Sequence, residues 1–406
     1  MPRRSPTRRD DPLPVAIVAL AICTFAFGTA EFAIMGVLPE VAAGFDVSIP
    51  TAGHLMSAYA IGVVIGAPLL TAAGTRLPRR TLLVALMGVF TAGSILSASA
   101  PSYGVMLLGR VLTALPHGAV MGIGVVVASA LAPPHRRSAA IAGVFLGLTL
   151  ANVAGAPLST ALGQALGWRS TFWLLVVIGL ASMVAIAALV PSAPRPAHAS
   201  LRGELRTLAR PRVVLLLATA VVGFAGVFAS YGYVAPQVTD AAGLPESAVI
   251  WVMAVFGIGM TTGNLLAARL LHTTFAARRP RWMISIALAV LALTLLALGF
   301  ASRTGPTLFL GMFVLGNVVF VSVPIIQTRV IDLTHDAPTL SSASVHAAFN
   351  AANALGPLAS GLAIDGGWGY DATNWVGAGL AGAGIVLWSV GLVVLRRRGH
   401  LAEAAT

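Results

Sequence analysis

Stretches of about twenty apolar residues, bounded by proline, glycine or arginine, recur along the whole chain, and that is the length an α-helix needs to cross a bilayer core about 30 Å thick. Lipid accepts only structures that satisfy every backbone polar group internally, and unbroken runs of this length do so as helices, not as barrel strands. Composition agrees, since 57% of the 406 residues are hydrophobic and only 9% are charged, against about 25% charged in an ordinary soluble domain. The chain is expected to be an all-α membrane protein.

Cutting at proline, glycine and charge clusters gives twelve candidate spans. The first six run over 14–38, 50–73, 80–100, 102–131, 138–164 and 170–190, and the second six over 212–236, 247–271, 282–301, 305–329, 338–363 and 372–395. The expected domains are a cytoplasmic tail (1–13), a six-helix bundle (14–190), a cytoplasmic linker (191–211), a second six-helix bundle (212–395) and a cytoplasmic tail (396–406). The basic start resembles a signal peptide, but its apolar run is longer than the roughly 7–15 residues of such a segment. It is expected to be retained as the first span. In the linker, Leu201, Leu205 and Leu208 recur at helical spacing among Arg202, Glu204 and Arg206, which predicts a short surface helix.

The formal net charge is +12, yet it does not point to nucleic acid. Every basic residue is an arginine, and with the N-terminus in the cytoplasm the interspan arginines fall on that side except Arg169 and Arg303. This is the positive-inside pattern of an inner-membrane protein with both termini cytoplasmic. The absence of lysine argues against a Walker A loop or a Schiff-base nucleophile, so the expected energy source is a proton gradient with no cofactor. The single cysteine, Cys23, cannot form an internal disulfide and reads as packing. The expected partners are the lipid bilayer and a small-molecule substrate, with no nucleic acid, and the chain is expected to act as a monomer.

The halves echo one another. Asn152, Gly155, Pro157, Gly167, Trp168 and Trp173 recur some 200 residues later as Asn353, Gly356, Pro357, Gly367, Trp368 and Trp375, and Gly62 and Gly66 align with Gly259 and Gly263. Parallel six-span repeats are an architecture in which two pseudo-symmetric bundles rock about a central site. With GTAEFAIMGVLPEVA in span 1, SIPTAGHLMSAYAIGVVIGAPLL in span 2 and GRVLTALPHGAVMGIG in span 4, the chain resembles a major facilitator superfamily transporter along its entire length. It is most similar to the drug:proton antiporter branch that contains arabinose-efflux and chloramphenicol-resistance permeases. The resemblance implies the twelve-helix, two-bundle fold, proton-coupled efflux and a cavity lined by spans 1 and 4. Two departures stand out: GTRLPRR places Pro78 where the loop motif of the family has Asp, and the antiporter motif of span 5 reads GAPLSTALG, less regular than GPLASG in span 11.

Glu31 and Arg110 lie at matched depth, about eight residues or about 12 Å from the outer ends of spans 1 and 4 at 1.5 Å per residue. A carboxyl group there costs several kcal/mol unless paired, hydrated or protonated, so Glu31 is suited to carry a proton. Arg110 stays charged, and its cost must be met by a carboxylate, by backbone carbonyls or by water. It matches the arginine of the span 4 motif, for which the resemblance implies proton coupling. His117 sits seven residues on, suited either to relay protons or to stabilise a kink beside Pro116. Span 11 presents Ser342, His346, Asn350 and Asn353 as one polar stripe, either facing substrate or bonding neighbouring helices. Asn152 and Asn317 carry the same two readings. Phe224, Phe228 and Tyr231 in span 7, and Phe27 and Met35 either side of Glu31, are either helix packing or an apolar cavity lining.

These residues favour export of a small lipophilic compound in exchange for protons by alternating access. A sugar or sugar-derivative exporter of the same fold is the alternative, and a non-transporting sensor is a further one. A membrane-embedded enzyme would need a nucleophile with a nearby base or a metal cluster, and neither HExxH nor GxSxG occurs.

Overall fold

The computed structural model describes residues 15–73, 77–192, 210–271, 273, 280–334 and 338–403. Nearly all of them are helical, and the first half contains Ala16–Gly36 (span 1), Ile49–Ala73 (span 2), Arg79–Ala98 (span 3) and Arg169–Leu189 (span 6). Span 4 is divided into Tyr103–Ala114 and His117–Leu131, and span 5 into Arg137–Leu150 and Ala156–Leu166 around a π-helical turn at Ala151–Gly155. The second half contains Pro211–Tyr231 (span 7), Ala248–Leu271 (span 8), Pro280–Ala301 (span 9), Gly305–Leu333 (span 10), Pro338–Asp365 (span 11) and Ala372–Glu403 (span 12). The short surface helix expected in the linker lies outside the described residues.

Among the described residues, eleven helices are long and apolar enough to cross a membrane. Span 11 is not one of them, although at 28 residues it is long enough. Its serines, histidine and asparagines lower its hydropathy, and it packs between spans 2 and 7, leaving Leu358 and Leu362 exposed. Lipid-facing stripes lie elsewhere: Trp173, Val177, Leu180 and Val184 are exposed along span 6, and Trp282, Ile286, Leu293 and Phe300 along span 9.

The division of span 4 follows from its sequence. Pro116 has no amide hydrogen to give and clashes with the preceding turn, so the first segment stops at Ala114 and a new one starts at His117. In the same way, span 7 ends at Tyr231 before Gly232, and the chain re-enters helix only briefly before a π-helical turn at Gln237–Ala241. Ser230, Gln237 and Asn374 close that break with three buried hydrogen bonds of 2.6, 2.6 and 3.0 Å.

The two halves use one packing scheme. In each, the first helix packs on the fifth and sixth, the second on the fourth, and the third on the fourth and sixth. The glycine echo has the same geometry in both: a Cβ on Gly66 would lie 2.1 Å from the Leu115 carbonyl oxygen of span 4, and one on Gly263 would lie 2.2 Å from the Asn317 carbonyl oxygen of span 10. Only glycine permits backbones to approach this closely.

Because the spans alternate in direction, residues 15 and 403 share one face of the molecule, here the terminal face. The contacts that join the halves start at the opposite face, where Gln164 donates to the Glu246 carbonyl at 3.0 Å and Met253 packs against Gly36 and Thr160. Deeper, Tyr233 lies over Gly53 and donates to the Pro357 carbonyl at 3.0 Å, while Ser57 donates to the Ala354 carbonyl at 2.8 Å. This seam seals the bundle from the opposite face down to the level of Glu31.

Candidate functional site

Glu31 projects from span 1 at the inner end of the seam, where it is half-buried. Its Oε1 accepts a 2.9 Å hydrogen bond from Nδ2 of Asn353 in span 11. The bond is direct, crosses from one half to the other, and ends on the only acidic group at this depth among the described residues of the spans. Asn353 is 1% exposed. Its Oδ1 has no partner, and neither has Oδ1 of Asn350, one turn away, whose Nδ2 donates to the His346 carbonyl at 3.1 Å. The polar stripe of span 11 thus faces the other half of the protein. The side chain of Ser342 lies outside the described residues.

Arg110 is buried beside this site but does not touch Glu31. Its Nη1 donates to the Ala30 carbonyl at 2.8 Å and its Nε to the Leu55 carbonyl at 3.4 Å, while Nη2 has no partner. Backbone oxygens of spans 1 and 2, and not a carboxylate, therefore meet the cost of burying this charge. The guanidinium also lies 4.5 Å from the ring centre of Tyr59, a cation–π contact that is strongest when desolvated. Glu31 and Arg110 attract each other through space alone.

Tyr59, which the sequence reading passed over, ties this cluster together. Its hydroxyl lies 3.2 Å from Nδ1 of His117 and donates to the Phe27 carbonyl at 3.3 Å. In an α-helix that carbonyl also receives the amide of Glu31, four residues on. A buried tyrosine hydroxyl needs such partners, and a tyrosine in the middle of an apolar span was the signal that marked it.

His117 is buried at the start of the second segment of span 4, stacked on Phe27 with ring centres 4.8 Å apart. Phe27 also packs edge-on against Phe90 at 4.8 Å, and it and Met35 are fully buried. Both therefore belong to the interior of the first half and offer no free surface to a ligand as placed. Phe228 and His346 are half-buried, and His346 stacks on Phe145 across the halves at 6.1 Å. Tyr231 is 2% exposed, stacked on Phe256 at 3.8 Å and edge-on to Phe32 of the other half at 6.1 Å.

The remaining amides divide. Asn152 sits in the π-helical turn of span 5, donates to the Leu148 carbonyl at 2.9 Å, and presents its own carbonyl to Gly257 of span 8. Asn317 donates to the hydroxyl of Thr262 at 3.0 Å, which ties span 10 to span 8 within the second half. The structure thus brings Glu31, Asn353, His346 and Tyr231 to the junction of the halves, with Asn350 one turn from Asn353 on span 11 and Phe228 half-buried on span 7. It sets Arg110 and His117 directly behind Glu31 and places Asn152 and Asn317 in helix contacts.

A second acidic feature lies outside the membrane spans. Glu40, on the short helix Leu38–Gly44, faces Glu246 of the other half at the sealed face, and its Oε2 is buried with no donor. Burial, and next the adjacent Glu246 carboxyl, push Glu40 up to about 8. Two carboxyl groups so placed share a hydrogen bond only when one is protonated.

Residues 20–345 match the family described as Major Facilitator Superfamily. The chain is 40% identical to the inner membrane transport protein YdhP of Escherichia coli (strain K12) over 91% of its length and 94% of the relative. It is 34% identical to the chloramphenicol resistance protein of Streptomyces lividans, covering 87% and 89%. The crystal structure of a D-xylose-proton symporter superposes with a TM-score of 0.69 over 92% of this chain and 97% of that one, at 16% identity, a likeness of fold alone.

Proposed function

Since the chain belongs to the major facilitator superfamily of membrane transporters, we propose that it exports a small, largely apolar compound across the inner membrane in exchange for protons. The observation that carries this reading is the 2.9 Å bond between Glu31 and Asn353. Ionised, Glu31 is a charge-assisted acceptor and holds span 11 against span 1; protonated, it loses most of that strength. Protonation state and the grip between the halves are thereby linked, which is what coupling requires.

In the proposed cycle, a proton from outside binds Glu31 in the outward-open state, where span 11 is parted from span 1, weakens its hold on substrate and lets substrate leave. The protonated carrier then closes the face opposite the termini and releases the proton inward, and the ionised Glu31 takes up the Asn353 bond that locks the seam. Fresh substrate next competes with Asn353 for the carboxylate. Arg110, fixed by the carbonyls of Ala30 and Leu55, holds the turn that bears Glu31. The chain works as a monomer without a cofactor, both termini lying on the cytoplasmic side. The relative named for chloramphenicol resistance and the aromatic surroundings of the site support a lipophilic substrate.

A second reading, export of a sugar derivative, is favoured by the unpartnered amide oxygens of Asn350 and Asn353. An accumulation and resistance panel in a pump-deficient host separates the two. Drug efflux that is lost in Glu31→Gln supports the first, and sugar efflux without drug efflux replaces it with the second.

A further inference from the structure

Both amides of the span 11 stripe have an orientation fixed by their partners. Nδ2 of Asn353 donates to Glu31, an acceptor, and Nδ2 of Asn350 donates to the His346 carbonyl, also an acceptor. Reversing either amide would set oxygen against oxygen, so neither can turn without losing its bond. The groups left over are then of one kind: Oδ1 of Asn350 and Oδ1 of Asn353, on side chains 6% and 1% exposed, have no partner, and Asn353 engages only one of the two oxygens of Glu31. Two of these acceptors sit one turn apart on span 11 and the third on span 1, bonded across the junction of the halves, where Tyr231 also meets Phe32 and His346 meets Phe145. The nearby unpartnered donor, Nη2 of Arg110, belongs to a guanidinium held on the Ala30 and Leu55 carbonyls behind span 1.

We infer that this site selects its ligand by a head that donates hydrogen bonds, a primary ammonium or a pair of neighbouring hydroxyls, carried on an apolar body. This rests on the proposed transport function and specifies the chemistry of its substrate. Buried acceptors without donors carry a desolvation cost that a donating ligand removes and a non-donating one leaves in place. An anionic head would set a further negative charge beside Glu31. A quaternary ammonium carries the positive charge that Glu31 attracts but has no hydrogen to give, so charge and donation are separable.

The test is binding to the purified, full-length protein in nanodiscs with four probes that share one body: 3-phenylpropylamine, its N,N,N-trimethyl derivative, 3-phenylpropane-1,2-diol and 4-phenylbutyrate. The amine and the diol are expected to bind at least about tenfold more tightly than the quaternary and carboxylate probes, the scale of one or two hydrogen bonds. Asn350→Leu and Asn353→Leu are each expected to remove that preference, and the melting temperature of each variant in nanodiscs reports that it is folded. Equal binding of the amine and its trimethyl derivative, with the diol weak, overturns the inference in favour of charge alone. Tightest binding of the carboxylate overturns it in favour of Arg110 as the anchor. Binding that tracks sodium concentration and not the head group overturns it in favour of a cation among the three oxygens. None of these readouts uses the proton gradient, so failure of proton coupling and failure of the donor rule are distinguishable.

Discussion

Asn353 donates to Glu31 across the two halves of the protein at 2.9 Å, while Arg110, at matched depth in span 4, is bonded to backbone carbonyls and leaves Glu31 to its amide partner. An asparagine can let go of a carboxylate at modest cost, whereas a buried arginine deprived of its partner leaves an uncompensated charge. The contact that breaks in the proposed cycle is therefore the cheaper of the two, and the arginine is kept out of it.

Arg110 in this arrangement clamps spans 1, 2 and 4 together. Arg110→Lys keeps the charge but not the fork that reaches the Ala30 and Leu55 carbonyls at once. The variant is expected to insert, to melt several degrees lower, and to transport at a small fraction of the wild-type rate. Thermal denaturation in detergent, paired with flux in proteoliposomes, checks this.

Tyr59 separates packing from hydrogen bonding. Tyr59→Phe keeps the ring beneath Arg110 and removes only the hydroxyl between His117 and the Phe27 carbonyl. Its expected stability cost is about 0.6 kcal/mol, the usual worth of a hydrogen bond between membrane helices. Tyr59→Leu loses the cation–π contact as well and is expected to cost about 2 kcal/mol more. Unfolding titrations of the two variants measure the difference.

The glycine echo predicts a matched pair of effects. Gly66→Ala and Gly263→Ala each drive a Cβ into a backbone carbonyl of the facing span and are expected to destabilise by about 1–3 kcal/mol. Gly122, where a Cβ would meet nothing within 4 Å, is the control. Gly122→Ala is expected to be neutral or to stabilise by up to about 1 kcal/mol through helix propensity.

Much of this scaffold was legible in the sequence. Run length located the helices, Pro116 marked the break in span 4, and the spacing of His346, Asn350 and Asn353 identified a stripe that does face the other half. The partner of Arg110 was not legible, because a backbone carbonyl has no signature in side-chain chemistry. Nor was the burial of Phe27 and Met35: a membrane helix is apolar toward lipid and toward protein alike, so periodicity does not say which face is inside. Tyr59 was missed because its ring suits the hydropathy pattern and only its hydroxyl betrays a role.

The acid pair at the sealed face gives a pH dependence with a definite sign. Glu40 sits at about 8 in the closed seam, against 4.5 for a free carboxyl. The closed state therefore holds the proton more tightly. Its stabilisation is complete below about 4.5, declines as pH rises toward 8, and is lost above that. In a Glu31→Gln background, which removes the opposing effect of Glu31 ionisation, spin labels placed across this face are expected to report more of the open form at pH 8 than at pH 5, and adding Glu40→Gln is expected to flatten the response.

The most direct test of the proposed coupling follows protons and substrate in the same vesicles. Purified protein is reconstituted with a pH-sensitive dye inside, and a substrate gradient is imposed in the absence of any pH difference. Wild type is expected to move protons against the direction of substrate flow, and Glu31→Gln, folded by the same melting criterion, is expected to move none. Proton movement that persists at the wild-type rate in Glu31→Gln would contradict the assignment of Glu31 as the coupling group.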